Sequence, residues 1–164
     1  MSMKAKSMKW FQCFLIVLLF QAAGMDMQAV AEGYPSEEET YIVIDKTRRL
    51  LTVYVNDTPE FSFLVATGKG DLTPEGEFRV ANKIKNPWYM RKRIPGGDKK
   101  NPLGTRWLGL SVPNTGGYRY GIHGTNKPYS IGQHVSSGCI RMRNRDVEWL
   151  FRHIPEGTKV FIQK

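Results

Sequence analysis

A histidine and a cysteine sixteen positions apart carry the strongest chemical signal in this 164-residue chain. His123-Gly124-Thr125 comes first, and Cys139 follows within Ser136-Ser137-Gly138-Cys139-Ile140-Arg141-Met142. The other cysteine, Cys13, sits in an N-terminal apolar run that reads as a removable leader, which makes Cys139 the sole thiol of the finished protein. A lone thiol has no partner for an intramolecular disulfide, so its use is chemical. Only a few per cent of an ordinary cysteine, with its pKa near 8.5, is thiolate at neutral pH; a base or a local positive field must raise that fraction. His123 is the candidate base. Arg141, two residues beyond the sulfur, is the candidate for binding a carboxylate or favouring the thiolate. Gly138, lacking a side chain, lets an acyl group approach, and the Cys139 N–H is placed to hold a developing oxyanion.

Each residue alone also has an ordinary reading. An isolated cysteine is commonly a small buried hydrophobe, and a strand histidine a satisfied polar residue. His134 competes as a base, although it reads as part of a solvated loop between the two motifs, and His153 reads as a surface residue of a helix. A zinc site from His123, His134 and Cys139 matches no familiar ligand spacing, and no metal is expected.

The elements that must position these residues are mostly strands. Tyr41-Ile42-Val43-Ile44 is a short apolar run, Leu51, Val53 and Val55 alternate with Thr52 and Tyr54, and Phe61, Phe63 and Val65 alternate with Ser62, Leu64 and Ala66. Together they predict a meander, followed by a strand around Phe78 to Asn82. Trp107 to Val112 reads as a further strand before the turn Pro113 to Gly117. Tyr118, Tyr120 and Ile122 then alternate with Arg119, Gly121 and His123, so an extended segment puts His123 on the face of Arg119. Ile140 and Met142 alternate in the same way with Cys139 and Arg141, sending the apolar pair inward and the reactive pair to a cleft. Val147, Leu150, Phe151 and Ile154 predict one short helix with Asn144 as N-cap, stopped by Pro155 and Gly157, and Thr158 to Ile162 closes the sheet.

Lys4, Lys6 and Lys9, the apolar stretch Trp10 to Phe20 and the triplet Ala29-Val30-Ala31 have the form of a signal peptide over residues 1–31. Residues 32–39 read as a linker and 40–164 as one domain, large enough for a core without disulfides. The chain carries +9; loss of Lys4, Lys6, Lys9 and Asp26 with the leader leaves +7. Eight of the cations fall between Lys83 and Arg106, where Asp98 is the only acid. The stretch Asn86 to Gly104 has no periodicity, contains Trp88 and Tyr89, and reads as a lid over a substrate site. A basic exported protein is suited to anionic wall polymers rather than nucleic acid. Export to a Gram-positive wall is the expectation, with a periplasm as the alternative.

The histidine and cysteine motifs resemble those of the YkuD-type L,D-transpeptidases: His-Gly, a spacer, then Ser-x-Gly-Cys-Ile/Val-Arg-Met/Leu. Thr73-Pro74-Glu75-Gly76-Glu77-Phe78, Trp107-Leu108-Gly109-Leu110-Ser111 and Ile154-Pro155-Glu156-Gly157-Thr158-Lys159-Val160 are similar to the family too, and the resemblance covers residues 40–164. It implies a mainly β, sandwich-like fold and exchange of peptidoglycan cross-links without a cofactor, by a monomer. Carried over, Cys139 attacks the bond after the third stem residue, a diamino acid. Terminal D-alanine leaves, and an amine of another stem accepts the acyl group. His123 is then the base, oriented by the Gly124 carbonyl; Arg141 assists substrate or thiolate; Ser136, Ser137 and Gly138 form the substrate-side turn. Many members have His where this chain has Ser137. A sortase-like enzyme is disfavoured by the closeness of Arg141 to Cys139, and a non-catalytic wall-binding protein by the presence of all three residues together.

Overall fold

The computed structural model describes residues 39–164. The segments expected to be a signal peptide and, apart from Glu39, a linker lie outside the described residues. The strands are β1 (Thr40–Asp45), β2 (Leu50–Val55), β3 (Thr58–Leu64), β4 (Thr67–Gly68), β5 (Gly76–Lys85), β6 (Arg106–Leu110), β7 (Gly121–His123), β8 (His134–Ser136), β9 (Ile140–Arg141) and β10 (Lys159–Gln163), with one α-helix, α1 (Asn144–His153), between β9 and β10. Eight strands pair in the order β3-β2-β1-β10-β5-β6-β7-β9, and β4 and β8 form a separate parallel pair.

The expected meander is present. Ile42 and Ile44 of β1 and Leu51 and Val53 of β2 enter the core. The β2–β3 hairpin turns at Asn56 and Asp57, whose φ values of 49° and 61° are those of a type I′ turn, the connection that suits the right-handed twist of two paired strands. β3 ends at Leu64, earlier than its alternation suggests. Val65 and Ala66 lie past the strand, fully buried. Ala66 forms instead an antiparallel bridge with Arg141, exchanging two backbone hydrogen bonds of 2.8 Å.

β5 makes the sheet sandwich-like. Its first four residues pair with β10, and its second half pairs with β6 after a register shift between Val80 and Asn82. A bulge bends and twists a strand, and this one passes the chain from the layer of β1–β3 and β10 to the layer that carries the histidine and cysteine motifs. Leu108, Leu110, Ile122, Ile140 and Met142 from that layer share the core with Val147 and Leu150 of α1 and with Ile154 just past its end.

The helix has the predicted apolar face, but its start differs. Arg143 occupies the N-cap position with no side-chain capping bond, and Asn144 is already helical. The Asn144 carboxamide accepts instead from the Thr125 N–H at 3.0 Å. Tertiary demand has taken the side chain that local propensity assigned to the cap.

Candidate active site

Register brings the two motifs together. β7 and β9 are adjacent and parallel, with Ile122 opposite Ile140 and His123 opposite Arg141, and the Met142 N–H donates to the His123 carbonyl at 2.8 Å. β6 lies on the other side of β7, with Trp107 opposite His123 and Gly109 opposite Gly121. Cβ atoms in register share a face. Trp107, His123 and Arg141 therefore form one row away from the core, and Cys139 continues β9 toward the Gly109–Gly121 row. Gly121 is glycine because a Cβ there would stand 2.6 Å from the Trp107 ring. That ring stacks on the His123 imidazole with centroids 5.6 Å apart and is held by its indole N–H on the Gly117 carbonyl at 3.0 Å.

His123, Cys139, Arg141, Ser136 and Ser137 line one cavity of about 970 Å³ together with Arg119, Tyr118 and residues of the 86–104 excursion. Arg119 and His123 both line this cavity, although the segment from Tyr118 to Tyr120 lies outside β7, so the expected strand alternation does not extend back to Arg119. The Cys139 Sγ–H points at the Arg119 carbonyl, 3.4 Å away. Among the described residues, no carboxylate lies within 4.0 Å of the Arg141 guanidinium.

His123 is 4% exposed and its Nδ1 lies 2.6 Å from the Gly124 carbonyl oxygen. A carbonyl only accepts, so Nδ1 carries the proton and Nε2 the lone pair. Burial pulls the imidazole pKa down to about 4, and the Arg141 charge pulls the same way, while the Gly124 and Leu103 carbonyls favour the protonated ring. Burial likewise pushes the Cys139 thiol up, offset in part by hydrogen bonding from the Gly121 backbone and by the Arg141 charge. At neutral pH the resting pair is therefore a thiol and a neutral imidazole, not a thiolate and an imidazolium.

The turn before the cysteine is self-bonded. Ser136 Oγ donates to the Cys139 carbonyl at 2.6 Å and accepts the Gly138 N–H at 3.0 Å. Gly138 has a φ of 122°, and a Cβ there would stand 2.6 Å from the Leu72 carbonyl and 2.7 Å from the Tyr120 ring. The protein's own packing thus demands this glycine, rather than an approaching acyl group as expected. Gly124 is likewise enclosed by the protein: a side chain there would collide with Asn144 Oδ1.

His134 is exposed, but it belongs to β8 rather than to a loop. Its Nδ1 bonds Thr67 Oγ1 at 2.7 Å and its Nε2 meets Arg49 Nη1 at 3.1 Å. It lines a second, smaller cavity with Lys46, Arg49 and Asp71, apart from Cys139. His153 lies exposed on α1, stacked on Trp149. The basic run divides as well. Lys83 bonds the Ile154 carbonyl and lies over Phe151, and Arg106 lies over the same ring, so both serve α1. Lys85 and Arg91 line the cavity.

The YkuD family, the L,D-transpeptidase catalytic domain, matches residues 39–162. YqjB of Bacillus subtilis, named as an L,D-transpeptidase, is 49% identical over 129 residues, which are 78% of this chain and 73% of YqjB. YkuD of the same bacterium, also named as an L,D-transpeptidase, is 41% identical over 125 residues, 76% of this chain and 66% of YkuD. Among solved structures, an L,D-transpeptidase from Mycobacterium smegmatis aligns with a TM-score of 0.62 at 21% identity, over 77% of this chain and 59% of that one. L,D-transpeptidase 3 from Mycobacterium tuberculosis, in complex with a faropenem-derived adduct, aligns at 0.60 and 18% identity, over 77% and 61%. At such identities the likeness speaks for the fold, and the mainly β, sandwich-like architecture expected from the sequence is the one observed. With the family match spanning nearly all the described residues, the chain belongs to the YkuD family of L,D-transpeptidase catalytic domains.

Proposed function

We propose that this protein is a cysteine-dependent L,D-transpeptidase of peptidoglycan. The observation that carries the reading is the 2.6 Å contact of His123 Nδ1 with the Gly124 carbonyl. With its Nδ1–H on the Gly124 carbonyl, its Nε2 lone pair is left to act in the cavity that Cys139 shares. His123 takes the Sγ–H proton as the sulfur attacks the carbonyl after the third stem residue. The Gly138 N–H is committed to Ser136, and the Cys139 N–H, which bonds no described residue, faces the oxyanion. Collapse breaks the C–N bond, the proton passes to the departing D-alanine amine, and a Cys139 thioester remains. An acceptor amine on another stem then attacks the thioester, and His123 repeats the proton transfer. Water in place of the amine gives the carboxypeptidase outcome.

Arg141, without a carboxylate partner of its own, suits the stem carboxylate. The leader-like N-terminus suits export, and the basic charge of residues 32–164 suits a Gram-positive wall. Wall anionic polymers suit the exposed cations of the excursion, and the reading needs no cofactor. Incubation with a stem tetrapeptide, or with imipenem as a covalent probe, followed by mass spectrometry tests it. The expected result is an acyl adduct on Cys139 that Cys139→Ser lacks, together with loss of turnover in that variant. Equal conversion of the tetrapeptide by both chains would sink the assignment.

A further inference from the structure

The peptide unit between Gly124 and Thr125 is gripped from both ends. Its carbonyl receives the His123 Nδ1–H at 2.6 Å, and its N–H donates to Asn144 Oδ1 at 3.0 Å. In a trans peptide these two groups point in opposite directions from one rigid plane. Whatever fixes the N–H therefore aims the carbonyl. Asn144 lies inside the first turn of α1 rather than at its N-cap, and its carboxamide accepts from Thr125. It sits where two glycines make room. A Cβ on Gly124 or on Gly104 would collide with its Oδ1. Gly104 has a φ of 64° and needs glycine for its backbone in any case. Gly124 has no positive φ, so close approach by Asn144, with Thr105 behind it, accounts for the missing side chain there.

We propose that Asn144 is a positioning residue for the reaction. Through the Gly124–Thr125 peptide it holds the carbonyl that fixes the His123 tautomer, so α1 reaches the base through one intervening amide. A carboxamide serves this purpose without charge. The Nδ1–H tautomer, which leaves Nε2 as acceptor, is kept by any oxygen acceptor at this position that holds the Thr125 N–H. The inference rests on His123 being the base, as proposed above.

The test compares Asn144→Leu, which removes the acceptor at similar volume, with Asn144→Asp, which keeps an acceptor oxygen. Gly124→Ala is a third variant, displacing the Asn144 carboxamide without touching it. In the whole chain, Asn144→Leu and Gly124→Ala should lower kcat on a stem tetrapeptide by about 10- to 100-fold with KM little changed, the scale of a slightly misplaced catalytic group. Asn144→Asp should retain most of the wild-type kcat. Nitrogen-15 NMR of His123 at neutral pH gives the second readout. Wild type and Asn144→Asp should show a single Nδ1–H tautomer, whereas Asn144→Leu and Gly124→Ala should show a mixture. A purely structural role would lower the melting temperature and leave the tautomer of the folded protein unchanged, and that result overturns the proposal. So does wild-type kcat in Asn144→Leu. Should Asn144→Leu not fold, Gly124→Ala and Asn144→Asp decide by the same two readouts. The NMR result stands whether or not His123 is the base, so failure of that assignment would appear only in turnover.

Discussion

Two walls of the same cavity are built in opposite ways. On one side, β6, β7 and β9 set Trp107, His123 and Arg141 in a row by backbone register, backed by Leu108, Ile122 and Ile140 with no exposed surface. On the other side, residues 86–104 contain no strand and a single one-turn 3₁₀ segment at Met90–Lys92. Asn101, 1% exposed, anchors the excursion by donating to the Pro87 and Pro95 carbonyls, and a Tyr89–Ile94 bridge closes its tip. Trp88 is 58% exposed at its edge. The difference separates tasks. Trp107, His123 and Arg141 stand on ladder-paired strands, with Cys139 one residue before β9, whereas the opposite wall stands on a segment tied at a few points.

The largest effect should come from the strand wall. His123→Ala should reduce turnover by about 100- to 10,000-fold, the usual contribution of a general base. His134→Ala should leave it within a few-fold of wild type. Both rings have their nitrogens oriented by neighbours, but His134 has Thr67 on one and Arg49 on the other, leaving no lone pair for a thiol. Steady-state rates on one stem peptide decide the point, and the reverse ranking would move the catalytic wall to β8.

Protonation gives a second, graded test of the same wall. With the thiol pushed up by burial and His123 neutral down to about 4, alkylation of Cys139 by iodoacetamide should be slow at pH 7 and rise about tenfold per pH unit into the alkaline range. Removing the Arg141 charge should slow it further, because that charge favours the thiolate. A rate plateau below neutrality would mean a resting ion pair and contradict the neutral one. Stability should respond with a definite sign. The folded ring stays neutral to about 4 while the unfolded chain binds a proton near the ordinary 6.5, so the unfolded state holds more protons between those values. Stability is thus full above 6.5 and is lost as pH falls toward 4. His123→Asn should flatten that slope in denaturant titrations.

The strand wall was largely legible in the sequence, and the reason is physical. Alternation of Ile122 with His123, and of Ile140 and Met142 with Cys139 and Arg141, encodes which face each side chain takes. What alternation does not encode is which strands become neighbours, so the stacking of Trp107 on His123 and the approach of the Arg119 carbonyl to the thiol stayed hidden. β8 is three residues long and paired only with the two residues of β4, too short for a period, so His134 reads as loop. Asn144 has the composition and place of a helix cap. Its use by Thr125, nineteen positions earlier, depends on packing that no local pattern records. The excursion was legible by its lack of period, but the division of the basic run from Lys83 to Arg106 between α1 and the cavity was not.

The smallest expected effect belongs to the second wall. Arg91, Lys92 and Arg93 are exposed together at the tip of the excursion, and Arg91 also lines the cavity. Reversing all three to Glu changes the charge by six units where the chain meets solvent. Exposed charges are screened over about 8–10 Å at physiological salt, so the variant should pellet with purified wall less well than wild type mainly at low ionic strength. Turnover of a small soluble stem peptide should fall no more than a few-fold, because the His123–Arg141 row is fixed from the other side. Arg91→Glu alone should account for what loss there is, since Lys92 and Arg93 are absent from the cavity lining. If wall binding at low salt is unchanged, the excursion is a solvated surface rather than a polymer-facing wall. If small-peptide turnover collapses instead, the excursion positions the chemistry and the division between the two walls fails.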